Sequence, residues 1–181
     1  MMNIAKAGEC MRLDEILPEY TVREKHGRVV NANEEALWQA VRHLDFSSSK
    51  ITKLLFKLRG LPTHGLTLDQ MIKNGPFGII AEDPGRELVI GLVCNHLMMP
   101  QSFNTLDEFL AIKGENINRI AWNFYLQKES NGISMTTETR VLCLGEKARR
   151  IFLPYWTLIR PFSGLIRLEM LKIAVGQVDS K

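Results

Sequence analysis

Hydrophobic and polar positions change their period several times along this chain. From Tyr20 to Val30, YTVREKHGRVV mixes β-branched with charged residues, which predicts a strand near a sheet edge. The period then lengthens in NANEEALWQAVRHL. Ala36, Leu37, Ala40, Val41 and Leu44 recur at helical spacing, and Asn33 stands where an N-cap belongs. Glu34 and Glu35 fill the first turn, where the helix dipole favours acids. DFSSSKITKLLFKLRGLP predicts a second helix behind a serine-rich cap. Its apolar stripe is Ile51, Leu54, Leu55 and Leu58, with Lys50, Lys53 and Lys57 opposite and Gly60 and Pro62 as its stop. LTLDQMIKNG reads as a further short helix closed by Gly75.

Beyond it the period falls to two. FGIIAED and RELVIGLVC flank Pro84–Gly85 and predict a hairpin. In the second arm Leu88, Ile90, Leu92 and Cys94 share one face, and Glu87, Val89, Gly91 and Val93 the other. TLDEFLAIKG suggests a short helix within the less regular stretch from His96 to Gly114. INRIAWNFYLQ and ISMTTETRVLCL predict two strands joined at Asn131–Gly132, a dipeptide suited to a tight hairpin turn. Trp122 and Phe124 share a face of the first strand. Met135, Thr137, Thr139 and Val141 share one face of the second, with Glu138, Arg140 and Leu142 on the other. GEKARRIFLPYWTLIRPFSGLIRLEMLKIAV shows no alternation and reads as a long helix with Ile159, Phe162, Ile166, Met170 and Ile173 on one side. Pro161 lacks a backbone donor, so a kink or a fresh helix start is expected there.

The order of strand, helices, antiparallel strands and terminal helix defines an α+β chain. An antiparallel sheet with an apolar face needs a cover, and the C-terminal helix is long and apolar enough to supply it. The 181 residues fit one domain, expected over 19–181, with residues 1–18, a tail or a short helix without a clear period, as an N-terminal appendage.

Composition changes this picture little. The chain is 45% hydrophobic and 24% charged, with net charge +3 and a mean hydropathy of −0.07. Its Lys and Arg are scattered, with no basic stripe interleaved with aromatics, so no nucleic-acid partner is expected. No uninterrupted apolar run approaches the roughly 18 residues a membrane span needs, so no integral membrane association is expected. Cys10, Cys94 and Cys143 are odd in number and form no C-x-x-C pair, and the N-terminus lacks a secretory pattern. A cytoplasmic location with reduced thiols is the expectation.

LLFKLRGLP, RELVIGLV, TTETRVLCL and ARRIFLPYWTLIRPFSGLIRLEML, together with the element order, resemble the helix-grip fold. That fold is shared by START domains, birch-pollen-allergen-like proteins and polyketide cyclases, the SRPBCC superfamily. The last third is most similar to an uncharacterised bacterial family within it. The resemblance runs from about Tyr20 to Val175 and implies a curved antiparallel sheet wrapped around the long C-terminal helix, with a ligand cavity between them.

On that arrangement the strands contribute Ile90, Leu92, Trp122, Phe124 and Val141 as ligand-binding residues, with Thr137 and Thr139 as buried hydroxyls needing partners. The helix contributes Trp156, Phe162 and Ile166. Glu138, Arg140 and His96 are candidate polar anchors; for Glu138 and Arg140 an ion pair on the outer face is the competing reading. Arg160 and Arg167 lie two helical turns apart, where their stems cover apolar surface and their heads reach water, an acid such as Glu138, or an acidic headgroup. His26, His43, His64 and His96 form no metal-binding motif, so neither metal nor cofactor is expected. There is no G-x-S-x-G. Ser163 reads as a helix cap after Pro161, and Gly164 as a point of close packing.

The expected function is the binding of a small hydrophobic or amphipathic molecule between sheet and helix, with no chemistry assigned. The alternatives are a cyclase- or hydrolase-like enzyme of the same fold acting on a carbonyl-containing substrate, with Glu138, Arg140 and His96 as its titratable candidates, and a cavity-less protein-interaction module.

Overall fold

The computed structural model describes residues 10–58, 64 and 66–179; residues 1–9 of the expected appendage, and the Gly60 and Pro62 stop, lie outside them. Helix α1 (Arg12–Ile16) precedes strand β1 (Val22–Val30). Helix α2 (Glu34–Arg42), a 3₁₀ turn (Phe46–Ser48), and helices α3 (Lys50–Leu58) and α4 (Leu68–Asn74) follow. Strands β2 (Gly78–Asp83), β3 (Glu87–Asn95) and β4 (Pro100–Gln101) lead through helix α5 (Leu106–Ala111) to strands β5 (Ile117–Glu129) and β6 (Gly132–Cys143). The 34-residue helix α6 (Glu146–Asp179) completes the order.

The fold is mixed α+β. Its six strands form one open antiparallel sheet in the order β1-β6-β5-β3-β2, with β4 also on β3. Both hairpins occur where the turn residues predict them. Arg86 N–H closes the first on the Asp83 carbonyl at 2.9 Å. The second places Ser130 and Asn131 between the paired residues Glu129 and Gly132, one position earlier than the Asn-Gly signal implies. Gly132 is held in the strand at φ +141°, where an added Cβ would lie 2.6 Å from the Val30 carbonyl oxygen.

Both faces of the sheet are covered, which the two-sided apolar pattern of β3 already requires. On the inner face Leu88, Ile90, Trp122, Phe124 and Met135 pack with Leu37 and Val41 of α2 and with Ile166, Met170 and Leu171 of α6. On the outer face Val89, Val93, Ala121 and Tyr125 pack with Leu13, Ile16 and Leu17 and with Phe109 of α5. The described part of the expected appendage is thus the outer layer of the core.

Two helix expectations change. Helix α3 buries Thr52, while Ile51 and Leu54 of the expected stripe are exposed. Ser49 decides this by accepting the Thr52 N–H at 3.1 Å and donating to Glu169 of α6 at 3.2 Å, which turns the polar side toward α6. Helix α6 continues through both Pro154 and Pro161 instead of restarting. Both rings are exposed, as are Arg150 and Thr157 four residues before them, so the carbonyls that lose a donor face water, and buried contacts at both ends hold the helix together.

A buried polar network ties α1 to the outer face. The Glu87 carboxylate accepts Arg12 N–H at 2.6 Å and Leu13 N–H at 3.2 Å, capping the start of α1. Asn123 donates to Glu87 at 2.7 Å and accepts the Glu138 N–H at 2.9 Å. Glu138 accepts Arg140 Nε at 2.7 Å and an Arg23 N–H at 2.9 Å. Arg140 also donates to the Leu17 carbonyl at 3.0 Å and to Asp14. Burial alone would lower the Arg140 pKa, but hydrogen bonds to Asp14 and Glu138 outweigh it and the group is raised.

Three outcomes are expected. Arg140→Met strips the buried Glu138 carboxylate of its buried partner and lowers the unfolding free energy in urea melts by about 3–5 kcal/mol. Arg23→Met, whose guanidinium is 42% exposed, lowers it by about 1 kcal/mol or less. In thiol titration with an aromatic disulfide, exposed Cys10 reacts first. Cys94, whose thiol burial pushes up to about 11, and Cys143, also raised by burial, react only once guanidinium unfolds the chain.

Candidate functional site

Helix α6 rests on the inner face at two apolar anchors. Phe152 and Trp156 pack on Val141, Val22 and Ile120 at one end. Ile166, Met170 and Leu171 join the main core at the other. Between the anchors the sheet is polar. On β1, Glu24 and His26 occupy alternate positions, and the register sets them opposite Thr139 and Thr137 of β6. Trp122 of β5 lies opposite Thr139 in turn.

This band is buried and largely unmatched. The Glu24 side chain is 10% exposed. Glu24 Oε2, the Thr137 and Thr139 hydroxyls and Trp122 Nε1 are buried without a hydrogen-bond partner. His26 Nε2 lies 3.2 Å from Glu24 Oε1, yet the approach is out of line and the nitrogen makes no hydrogen bond. A buried polar atom left in this state costs about 1–3 kcal/mol.

Access is provided from the side of α6. Glu24, His26, Arg160, Pro161, Gly164, Leu165 and Leu168 line an open cleft of about 490 Å³. At Gly164 the helix closes on the strand: a Cβ there would stand 2.9 Å from Glu24 Oε1 and 3.2 Å from His26 Nε2. Pro161, Leu165 and Leu168 form an apolar wall, and exposed Arg160 sits at the rim. Arg167 lies over the Trp122 ring, 5.0 Å from its centroid.

The residues expected to bind ligand are distributed around this cleft and do not border it. Ile90, Trp122, Phe124 and Ile166 are buried in the inner core, with Leu92 partly buried against it. Val141 and Trp156 belong to the first anchor. Thr137 and Thr139 are the buried neighbours of His26 and Glu24. Phe162 is 44% exposed. The buried positions of α6 run through Phe152, Trp156, Ser163, Ile166 and Met170, and Phe162 falls on the solvent side of that stripe. Because α6 does not restart at Pro161, Ser163 is a buried mid-helix residue and caps nothing.

Among the expected anchors, Glu138 and Arg140 point away from α6 into the α1 network, so Glu138 does not partner Arg160 or Arg167. His96, half-buried just beyond β3, is not among the cleft residues. Glu24 and His26 were legible only as charged positions of an edge strand. The signal that could have found them is the alternation Val22, Glu24, His26, matched by Val141, Thr139, Thr137 on the partner strand.

No family model matches the sequence, and no curated protein shows significant similarity to it. Among the described residues no three His, Cys, Asp or Glu side chains converge as a metal site, and no helix is long and apolar enough to cross a membrane.

Replacing Thr137 or Thr139 by valine removes an unpartnered hydroxyl at nearly constant volume. Each variant is expected to melt at or above the temperature of the parent chain. A fall in stability of about 1 kcal/mol or more would show that these hydroxyls are bonded in the folded protein.

Proposed function

We propose that this chain is a binding protein of helix-grip type, within the SRPBCC or START-like superfamily, that holds a small amphipathic molecule in the cleft between β1 and α6. The observation that carries the reading is the pairing of opposites in one open space. An apolar wall of Pro161, Leu165 and Leu168 shares the cleft with the polar side chains of Glu24 and His26. The volume of about 490 Å³ falls within the range usual for small-molecule sites. Displacing water from the wall supplies affinity at roughly 25 cal/mol per Å², while the polar floor orients the ligand. An open cleft weighs against the cavity-less interaction module.

A second reading is favoured by one detail. Glu24 and His26 are titratable, adjacent and turned toward the cleft, as acid–base work on a carbonyl-containing substrate requires. Under that reading these two, and not Glu138, Arg140 or His96, carry the proton.

Native mass spectrometry of gently purified protein is expected to show a retained small molecule or uptake of a short-chain amphiphile. Leu168→Glu places a charge on the exposed apolar wall and is expected to weaken uptake about tenfold or more, with the far-UV spectrum unchanged. Uptake that is indifferent to this substitution would place the site elsewhere.

A further inference from the structure

We propose that the turn between β3 and β4, together with the basic start of α6, docks this protein on an anionic lipid surface. Leu97 and Met99 stand on that turn, 67% and 60% exposed. Single exposed apolar residues are ordinary; the backbone sets this turn apart. Leu97 N–H and Met99 N–H donate to Asn95 Oδ1 at 2.9 and 3.0 Å, and Met98 N–H donates to the Asn95 carbonyl at 2.9 Å. Pro100 has no N–H. From Leu97 to Pro100 no amide proton is left for water to satisfy, so the turn can enter an apolar medium without losing a hydrogen bond from these groups.

The turn is also held to the sheet. The Met99 carbonyl accepts Asn95 N–H at 2.9 Å, and Met98 Sδ accepts the Cys94 thiol at 3.8 Å. Met98 keeps φ +61°, a conformation uncommon outside Gly, Asn and Asp. Leu97 and Met99 thus project from a fixed base. A convex tip suits a fluid apolar layer, whereas a protein partner would have to supply a matching hollow.

The surrounding charges choose the kind of membrane. Ile117 pairs with Asn95 on one side, and on the other its carbonyl accepts Leu144 N–H at 2.8 Å just ahead of α6. The tip and the first turns of α6 therefore share one end of the sheet. Exposed Lys113, Lys147, Arg149 and Arg150 lie in the segments beside Ile117, against the exposed acids Glu115 and Glu146. Residues 95–101 add no Asp, Glu, Lys or Arg. Cations in excess beside an apolar tip attract anionic headgroups, and salt screens that attraction.

The test sediments the full chain with vesicles of phosphatidylcholine alone or with about one third phosphatidylserine. Binding to the anionic vesicles is expected to be about tenfold tighter than to the neutral ones, and to be released by about 0.5 M salt. Leu97→Ser with Met99→Ser is expected to weaken it about tenfold or more with the thermal melt unchanged, and Lys147→Glu with Arg150→Glu to do the same. No binding to either vesicle overturns the proposal, as does equal binding to both or indifference to the serine pair. Self-association that the serine pair abolishes, without vesicle binding, assigns the tip to a protein contact and overturns it too. Should the serine pair not fold, Leu97→Ser alone decides.

Discussion

Glu138 has no surface in contact with water, and its carboxylate must be matched inside the protein. Leaving such a charge alone costs several kcal/mol, so the elements around it are constrained by what they bring to it. Arg140 comes from the same strand, Arg23 from β1 and Asn123 from β5, and Asn123 passes the chain of contacts on to Glu87 of β3. Helix α1 is suspended from the two ends of this chain. Its first amides rest on Glu87, and the carbonyl beyond its last turn accepts from Arg140. Five residues are too few to form a stable helix alone; here both poles of the helix dipole meet a buried opposite charge.

The same two strands treat their faces differently. On the outside of β1 and β6 every strong charge has a partner. On the inside, one residue along each strand, Glu24, His26, Thr137 and Thr139 hold polar atoms that nothing completes. A chain able to build the first arrangement does not lack the means to build the second. The incomplete face lies under α6 at the one place where that helix carries a glycine against the sheet. Unmatched polarity beside an open cleft is the reason binding is proposed for this face.

How much of this could be read from the letters follows from the range of the forces involved. The strands and hairpins were legible because alternation and turn residues are local. The facing of Thr137 and Thr139 toward α6, and of Glu138 and Arg140 away from it, followed from period two once Trp122 and Phe124 were set inward. Helix α1 was legible only as an alternative to a tail, because what stabilises it lies 75 and 123 residues away in Glu87 and Arg140. Phe162 was turned the wrong way because helical spacing alone does not fix the edges of a buried stripe, and the small Ser163 is the residue that packs inward there. Glu24 and His26 were passed over because charges on an edge strand ordinarily face water, and only the helix laid over them removes it.

The cleft has one wall from the first strand and the other from the last helix, and β1 pairs with nothing but β6, with Arg23 meeting Glu138 across 115 residues. During synthesis the helices α2 to α4 and the β2–β3 hairpin can form as they emerge, since their contacts are near in sequence. The pocket cannot. Its floor waits until α6 has left the ribosome, and a nascent chain arrested before that helix would leave the inner face of the sheet uncovered and form no cleft at all.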